Sequence, residues 1–107
     1  MGASKLFYSP FALADLDAIF DIVGSDYPQR GYNFVEGIRE RLSKYLLDNP
    51  ELGPARPELG EGIRIYAIKS KRTVVAYRVK QDVIAVVRVF YGGADYEATL
   101  RDANDNS

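Results

Sequence analysis

A chain of 107 residues, 47% apolar and 27% charged, has room for one domain with its own core and none for a second. It holds neither cysteine nor histidine, which excludes disulfide frameworks, thiolate nucleophiles, His-based triads and Cys/His metal sites. The net charge of −1 is unevenly spread: residues 1–63 sum to −4, residues 64–94 carry seven Lys/Arg against Asp82 alone, and residues 95–107 sum to −3.

The opening, Met1 to Phe11, has no apolar run fit for a signal peptide, and it misses the myristoylation pattern by Leu6. Lys5 to Tyr8 reads as a short first strand. Ser9-Pro10 then starts a helix, with Ser9 as N-cap and Pro10 at the first helical position, where no backbone donor is needed. Ala12, Leu16, Ile19, Phe20 and Val23 recur at helical spacing, and Gly24 ends the run. Asp26-Tyr27-Pro28 opens a second helix in the same manner. Its predicted stripe is Phe34, Val35, Ile38, Leu42, Tyr45 and Leu46, and Asn49-Pro50 stops it.

Residues 50–62 hold three prolines and three glycines and form a connecting loop. From Ile63 the texture changes to three strand-like runs, Ile63–Lys69, Thr73–Val79 and Val83–Tyr91. Ser70–Arg72 and Lys80–Asp82 are turns short enough to force antiparallel pairing. The last run is apolar on both faces except at Arg88, as in a central strand. A weak helical stretch, Tyr96 to Leu100, follows Gly92-Gly93. The expected domain covers residues 1–101, and residues 102–107 are expected to be a polar, disordered tail.

The order strand, helix, helix, strand, strand, strand describes an α+β domain with a helical hairpin packed on a small antiparallel sheet. The other face of the sheet is expected to be open, and this open face, where Arg and Tyr residues emerge, is the expected place of function. The basic 64–94 segment has two readings: an attraction for an acidic partner, or a solvated set of strand charges that keeps sheet edges apart. Neither a metal nor an organic cofactor is expected, and without a membrane-length apolar run the protein is expected to be cytoplasmic.

Several strings resemble the ParE branch of the RelE/ParE toxin superfamily. They are Ser9-Pro10 with Asp15-Leu16 and Ile19, Asn49-Pro50-Glu51-Leu52-Gly53, Arg56-Pro57-Glu58-Leu59 and Gly62-Ile63-Arg64. Val75-Ala76-Tyr77-Arg78-Val79, Val87-Arg88-Val89, Gly92 and Asp95-Tyr96 continue the match. None is specific alone; their order and spacing are. The resemblance implies the toxin of a bacterial type II toxin–antitoxin system, poisoning DNA gyrase and held in a hetero-oligomer by a ParD-like antitoxin. The net +6 segment gives antitoxin binding a physical basis, since it would attract an acidic tail.

The RelE branch instead cleaves mRNA on the ribosome. Aligned on Tyr77, its alternating lysines fall near Ile65 and Ala67, the arginine three before its tyrosine on Val74, and its late arginine near Gly92. Many ParE-like chains carry a His at Tyr91 and a Gly-Ala-Arg-Asp string where this one has Gly92-Gly93-Ala94-Asp95. Direct nucleic-acid binding is therefore not expected, and an inactive relative that keeps antitoxin binding is a further alternative. If the chain were a ribonuclease, Arg64, Lys69, Arg72, Arg88 and Tyr91 would carry the metal-free chemistry, by electrostatic stabilisation and proton transfer.

The candidate binding residues are Arg64, Lys69, Lys71, Arg72, Arg78, Arg88, Tyr91 and Tyr96. Arg64 would contact the target or anchor the preceding loop, and Arg88 would contact a ligand or pair with a helix carboxylate such as Asp15 or Asp21. The side on which Arg78 emerges depends on the hairpin: a two-residue turn puts it opposite Arg88's face, a three-residue turn on the same face. Tyr91 and Tyr96 suit the core, a partner contact or proton donation.

Overall fold

The computed structural model describes residues 2–105. Its elements are β1 (Lys5–Tyr8), α1 (Pro10–Val23), α2 (Pro28–Arg41), β2 (Arg64–Ile68), β3 (Thr73–Lys80), β4 (Val83–Tyr91) and α3 (Tyr96–Asp105). Ser9 caps α1 as expected: its Oγ accepts from the Ala12 N–H at 3.0 Å and itself donates to the Val87 carbonyl at 2.8 Å. One side chain thus starts the helix and fastens it to the sheet. Gly24 ends α1 at negative φ, so left-handed backbone is not what it provides. A Cβ there would lie 2.8 Å from the Phe20 carbonyl oxygen, and one on Gly31 only 2.5 Å from the same atom. The two glycines let the helices meet backbone to backbone.

The start of α2 departs from expectation. Pro28 takes the first helical position, but the cap is Tyr27, whose side chain makes no capping hydrogen bond. Asp26 instead pairs with Arg30 at 3.5 Å on the surface. The helix also does not run evenly to Asn49: a π-turn occupies Leu42–Leu46. Leu42 and Leu46 are fully buried, while Tyr45, expected in the apolar stripe, lies in that turn and is 42% exposed.

The four strands are ordered β1-β4-β3-β2. Both hairpins are antiparallel, but β1 lies parallel to β4, from Lys5 opposite Val83 to Tyr8 opposite Val86, so the sheet is mixed. The helices and two strands between β1 and β4 supply the long crossover that parallel pairing needs. The helical hairpin covers one face. There Leu16, Ile19, Ile38, Leu42 and Leu46 meet Val75, Tyr77, Ile84, Val86 and Val89.

The other face is not open as expected. A second cluster (Leu59, Ile63, Ile65, Ala76, Phe90 and Leu100) covers its upper half, roofed by a 3₁₀ turn at Pro57–Leu59 and by α3. α3 also runs to Asp105, through residues expected to be tail; residues 106 and 107 lie outside those described. Asp95 accepts from the Ala98 N–H at 3.1 Å and starts this helix, and Leu100 is its buried anchor. Gly92 and Gly93, with φ of 72° and 84°, turn the chain from β4 toward it.

The β3–β4 turn has two residues, Gln81 and Asp82, since Lys80 pairs with Val83. From that turn Arg78 was expected opposite Arg88's face. A bulge reverses this: Tyr77 pairs with Val86 and Ala76 with Arg88, leaving Val87 as the extra residue. Arg78 and Arg88 therefore share the face away from the helices.

Candidate functional site

Arg88 holds Asp15 of α1 with two bonds, Nε to Oδ2 at 2.7 Å and an Nη to Oδ1 at 2.9 Å. Hydrogen bonding to that carboxylate raises the guanidinium above even its usual pKa, so the cation is permanent. Asp15 Oδ2 also accepts from the Val89 N–H at 2.9 Å. β1 pairs with β4 only as far as Val86, and the carboxylate serves the β4 backbone beyond it. Of the two roles open to Arg88, the structure supplies the helix carboxylate.

Arg64 stands opposite Tyr77 on the helix-facing side. It donates to the Gly53 carbonyl at 2.8 Å and the Glu51 carbonyl at 3.4 Å, anchoring the Pro/Gly-rich loop. Tyr77 works beside it: its hydroxyl donates to the Pro50 carbonyl at 2.8 Å and accepts from the Gly53 N–H at 2.9 Å. Burial pushes that phenol above its usual pKa, which keeps it a neutral donor.

Lys69, Lys71 and Arg72 gather at the β2–β3 connection, a 3₁₀ turn over Lys69–Lys71 closed by Arg72 in left-handed backbone with φ of 50°. Lys71 Nζ sits 4.5 Å over the Phe34 ring, which meets Tyr91 edge-on at 5.4 Å. Tyr96 packs on Phe90 at 6.0 Å, on the other side of the sheet. The structure therefore joins Lys69, Lys71, Arg72 and Tyr91 at one end of the sheet, but not with Arg64 or Arg88. Tyr91 pairs with Thr73 and Arg64 with Tyr77, four residues or about 13 Å apart along β3.

Arg78 lies on the far face. Its Nε donates to the Glu61 carbonyl at 2.7 Å, and among the described side chains no carboxylate pairs with it. With Arg88 it lines a cleft of about 290 Å³ between the first turn of α1, the sheet and α3. Leu59, Ile63 and Val87 contribute apolar lining, and Phe11, 70% exposed, forms one wall.

Two participants were missed in the sequence. Phe11 stands outside the apolar stripe of α1, which is itself the signal for an unburied aromatic. Arg56 bonds Glu58 at 2.6 Å and Glu97 at 2.5 Å, clasping the 3₁₀ turn to α3. These bonds raise the Arg56 pKa, and the guanidinium holds the Glu58 carboxyl below its ordinary range. Among the described residues, no three or more His, Cys, Asp or Glu side chains are grouped to hold a metal ion, and no helix is long and apolar enough to cross a membrane.

Fold and surface together define a small α+β protein whose candidate binding cations are divided between an internal framework and two exposed areas, the β2–β3 turn and the far-face cleft. Residues 6–96 match the family model described as ParE toxin of type II toxin-antitoxin system, parDE, and the chain belongs to that family. A solved structure described as a chromosomal ParDE TA system from P. aeruginosa is similar, with 27% identity and a TM-score of 0.69. That match covers 83% of this chain and 95% of the other. No protein with a curated description matches significantly.

Proposed function

We propose that this toxin-family chain acts by binding rather than by cleavage, inhibiting DNA gyrase and being neutralised by a cognate antitoxin. Membership of the ParE family supports this reading, and the observation that carries it is the commitment of Arg88 to Asp15 and of Arg64 to the Gly53 carbonyl. A ribonuclease built on these residues would need both guanidiniums at a phosphate, and withdrawing Arg88 would leave Asp15 unpaired beside the β4 backbone.

The test is DNA supercoiling by purified gyrase, with and without the folded protein freed of any co-purified antitoxin. Loss of supercoiling with accumulation of cleaved DNA is the expected result. Undisturbed supercoiling in the presence of folded protein would overturn the gyrase assignment.

The basic β2–β3 turn, next in sequence to Thr73, the strand partner of Tyr91, favours one second reading, mRNA cleavage on the ribosome, with a phosphate held by the turn's cations and a proton moved by the phenol. Under that reading, Tyr91→Phe and Arg72→Ala abolish ribosome-dependent cleavage while leaving the fold intact. Cleavage that survives both changes removes it.

A further inference from the structure

We infer that the end of the sheet formed by the β2–β3 turn and the Gly92–Ala94 segment is a contact surface for the phosphate backbone of duplex DNA. The inference rests on the gyrase reading above for the DNA that the toxin meets. It reverses the expectation, drawn from the sequence, that nucleic acid is not touched.

The cations at this end have no anionic partner. Among the described residues, no carboxylate lies within ion-pairing distance of Lys69, Lys71 or Arg72. Asp95, the acid that follows the glycine segment, is turned to α3, where its Oδ1 accepts from the Ala98 N–H.

The three cations also stand on both sides of the strand ends. Lys71 is on the helix side, with its Nζ over the Phe34 ring and against α2 at Gly37. A Cβ on Gly37 would come within 2.7 Å of that nitrogen. Glycine weakens the interior of a helix, and what it supplies here is a seat for the ammonium. Lys69 and Arg72 line a shallow concavity of about 260 Å³ on the other side, with Ala67, Val74 and Gly93. The Gly92 N–H bonds the Arg72 carbonyl at 2.9 Å and ties the turn to the glycine segment. The N–H groups of Gly93 and Ala94 meet no acceptor among the described residues.

Cations on two sides of one edge, with backbone donors between them, suit consecutive phosphates of a polymer better than one small anion. A peptide would want an apolar anchor, and none of the exposed large apolar side chains belongs to residues 67–75 or 91–95. Contacts of this kind position a duplex without reading its bases. Because the whole chain carries a net charge of −1, the contact is local, weak with free DNA and sensitive to salt.

The experiment titrates a short labelled duplex with full-length toxin across a salt series, read by fluorescence anisotropy. Lys69→Ala and Arg72→Ala alter exposed positions. Each weakens binding alike for unrelated duplex sequences and lowers the slope of log affinity against log salt by about 1. Gly37→Ala keeps every charge but evicts Lys71, and weakens binding by about 2- to 10-fold, the cost of re-ordering one long side chain. Lys80→Ala makes the same charge change at the opposite end of β3 and shifts affinity by less than about twofold.

No duplex binding by the unaltered toxin at low salt overturns the surface, as does an equal loss in Lys80→Ala, which would make net charge alone responsible. Tighter binding of single-stranded RNA than of duplex overturns the assignment to DNA. Loss of antitoxin affinity in Lys69→Ala and Arg72→Ala, with duplex affinity intact, also overturns it and reassigns the surface to a protein partner. All of these leave the gyrase reading to its own supercoiling test. Undisturbed supercoiling by unaltered toxin that still binds duplex as described removes the gyrase reading and leaves the surface standing.

Discussion

Beneath the helical hairpin, Leu16, Ile38, Leu42 and Leu46 interlock with Val75, Tyr77, Ile84 and Val86, all of them at most 2% exposed. Across the sheet, Phe90, Ile63 and Ala76 are roofed by one turn of 3₁₀ helix and by Leu100, which is 5% exposed. The first face is held by two helices packed on side chains from all four strands. The second is held by a helix with one buried anchor, a clasp at Arg56 and a two-glycine turn. Density of anchoring separates a face that maintains the fold from one that can serve as a surface.

The sharpest way to break that contrast is to cut one leucine on each side. Leu42→Ala is expected to lower global stability by about 2–5 kcal/mol in denaturant unfolding, since a fully buried leucine leaves a cavity. Leu100→Ala is expected to act locally: amide exchange along α3 accelerates, while the global midpoint moves by less than half as much. Equal global losses from the two changes would mean that α3 is as integral as the hairpin.

A smaller effect comes from the joint between the faces. Asp15→Ala strands the Arg88 cation and the Val89 N–H together; because the pair is partly solvated, the expected cost is about 1–3 kcal/mol, below that of a fully buried pair. If the change is neutral by thermal unfolding, the bulge does not depend on this carboxylate. Tyr77→Phe removes the hydroxyl from Pro50 and Gly53 and is expected to cost about 1–2 kcal/mol, with faster proteolysis of the 50–53 loop as its signature.

The smallest effect is on the clasp. The Glu58 carboxyl has its pKa lowered by Arg56, so its support is complete above the ordinary glutamate range and is lost as pH falls through the depressed value. Amide protection in α3 should decline over that acidic window while the helix-facing core keeps its protection. Arg56→Ala should abolish this differential response. A response that persists in the variant would trace it to other carboxylates.

The hairpin side of the molecule was largely legible. Ser9-Pro10, the α1 stripe and the short turns are local signals, and each formed the element it predicts, whereas the α2 stripe was broken by the π-turn that leaves Tyr45 exposed. The far side was not, because its determinants lie far apart in the chain. Nothing between Val83 and Tyr91 marks where an extra residue sits; the Ser9 hydroxyl at the N-cap of α1 bonds its carbonyl, and the Asp15 carboxylate on α1 bonds the Val89 N–H beyond it. The parallel seat of β1 is set by a crossover rather than a turn. The second half of α3 looked like tail because Asp102 to Asp105 is polar, and the helix's support comes from Arg56, forty-one positions before Glu97.

The candidate residues divided along the same line. Arg64 and the basic β2–β3 turn were recognised from their positions in the chain, whereas Phe11 gained meaning only beside a cleft assembled from four distant segments. That cleft has no periodicity of its own for a sequence pattern to carry.

The single additional residue at Val87 acts as a change of parity. In an uninterrupted strand, strict alternation would carry Arg88 and Phe90 under the helices behind Ile84 and Val86, sinking a permanent cation into the most densely packed layer. Val89 and Tyr91 would be turned outward instead, and the chain would leave β4 with its last aromatic on the wrong side to meet Phe34. One inserted residue thus sorts the second half of the strand, sending the cation to the far face, where it is partly exposed and paired with Asp15, and the Val89 and Tyr91 side chains to the helix side.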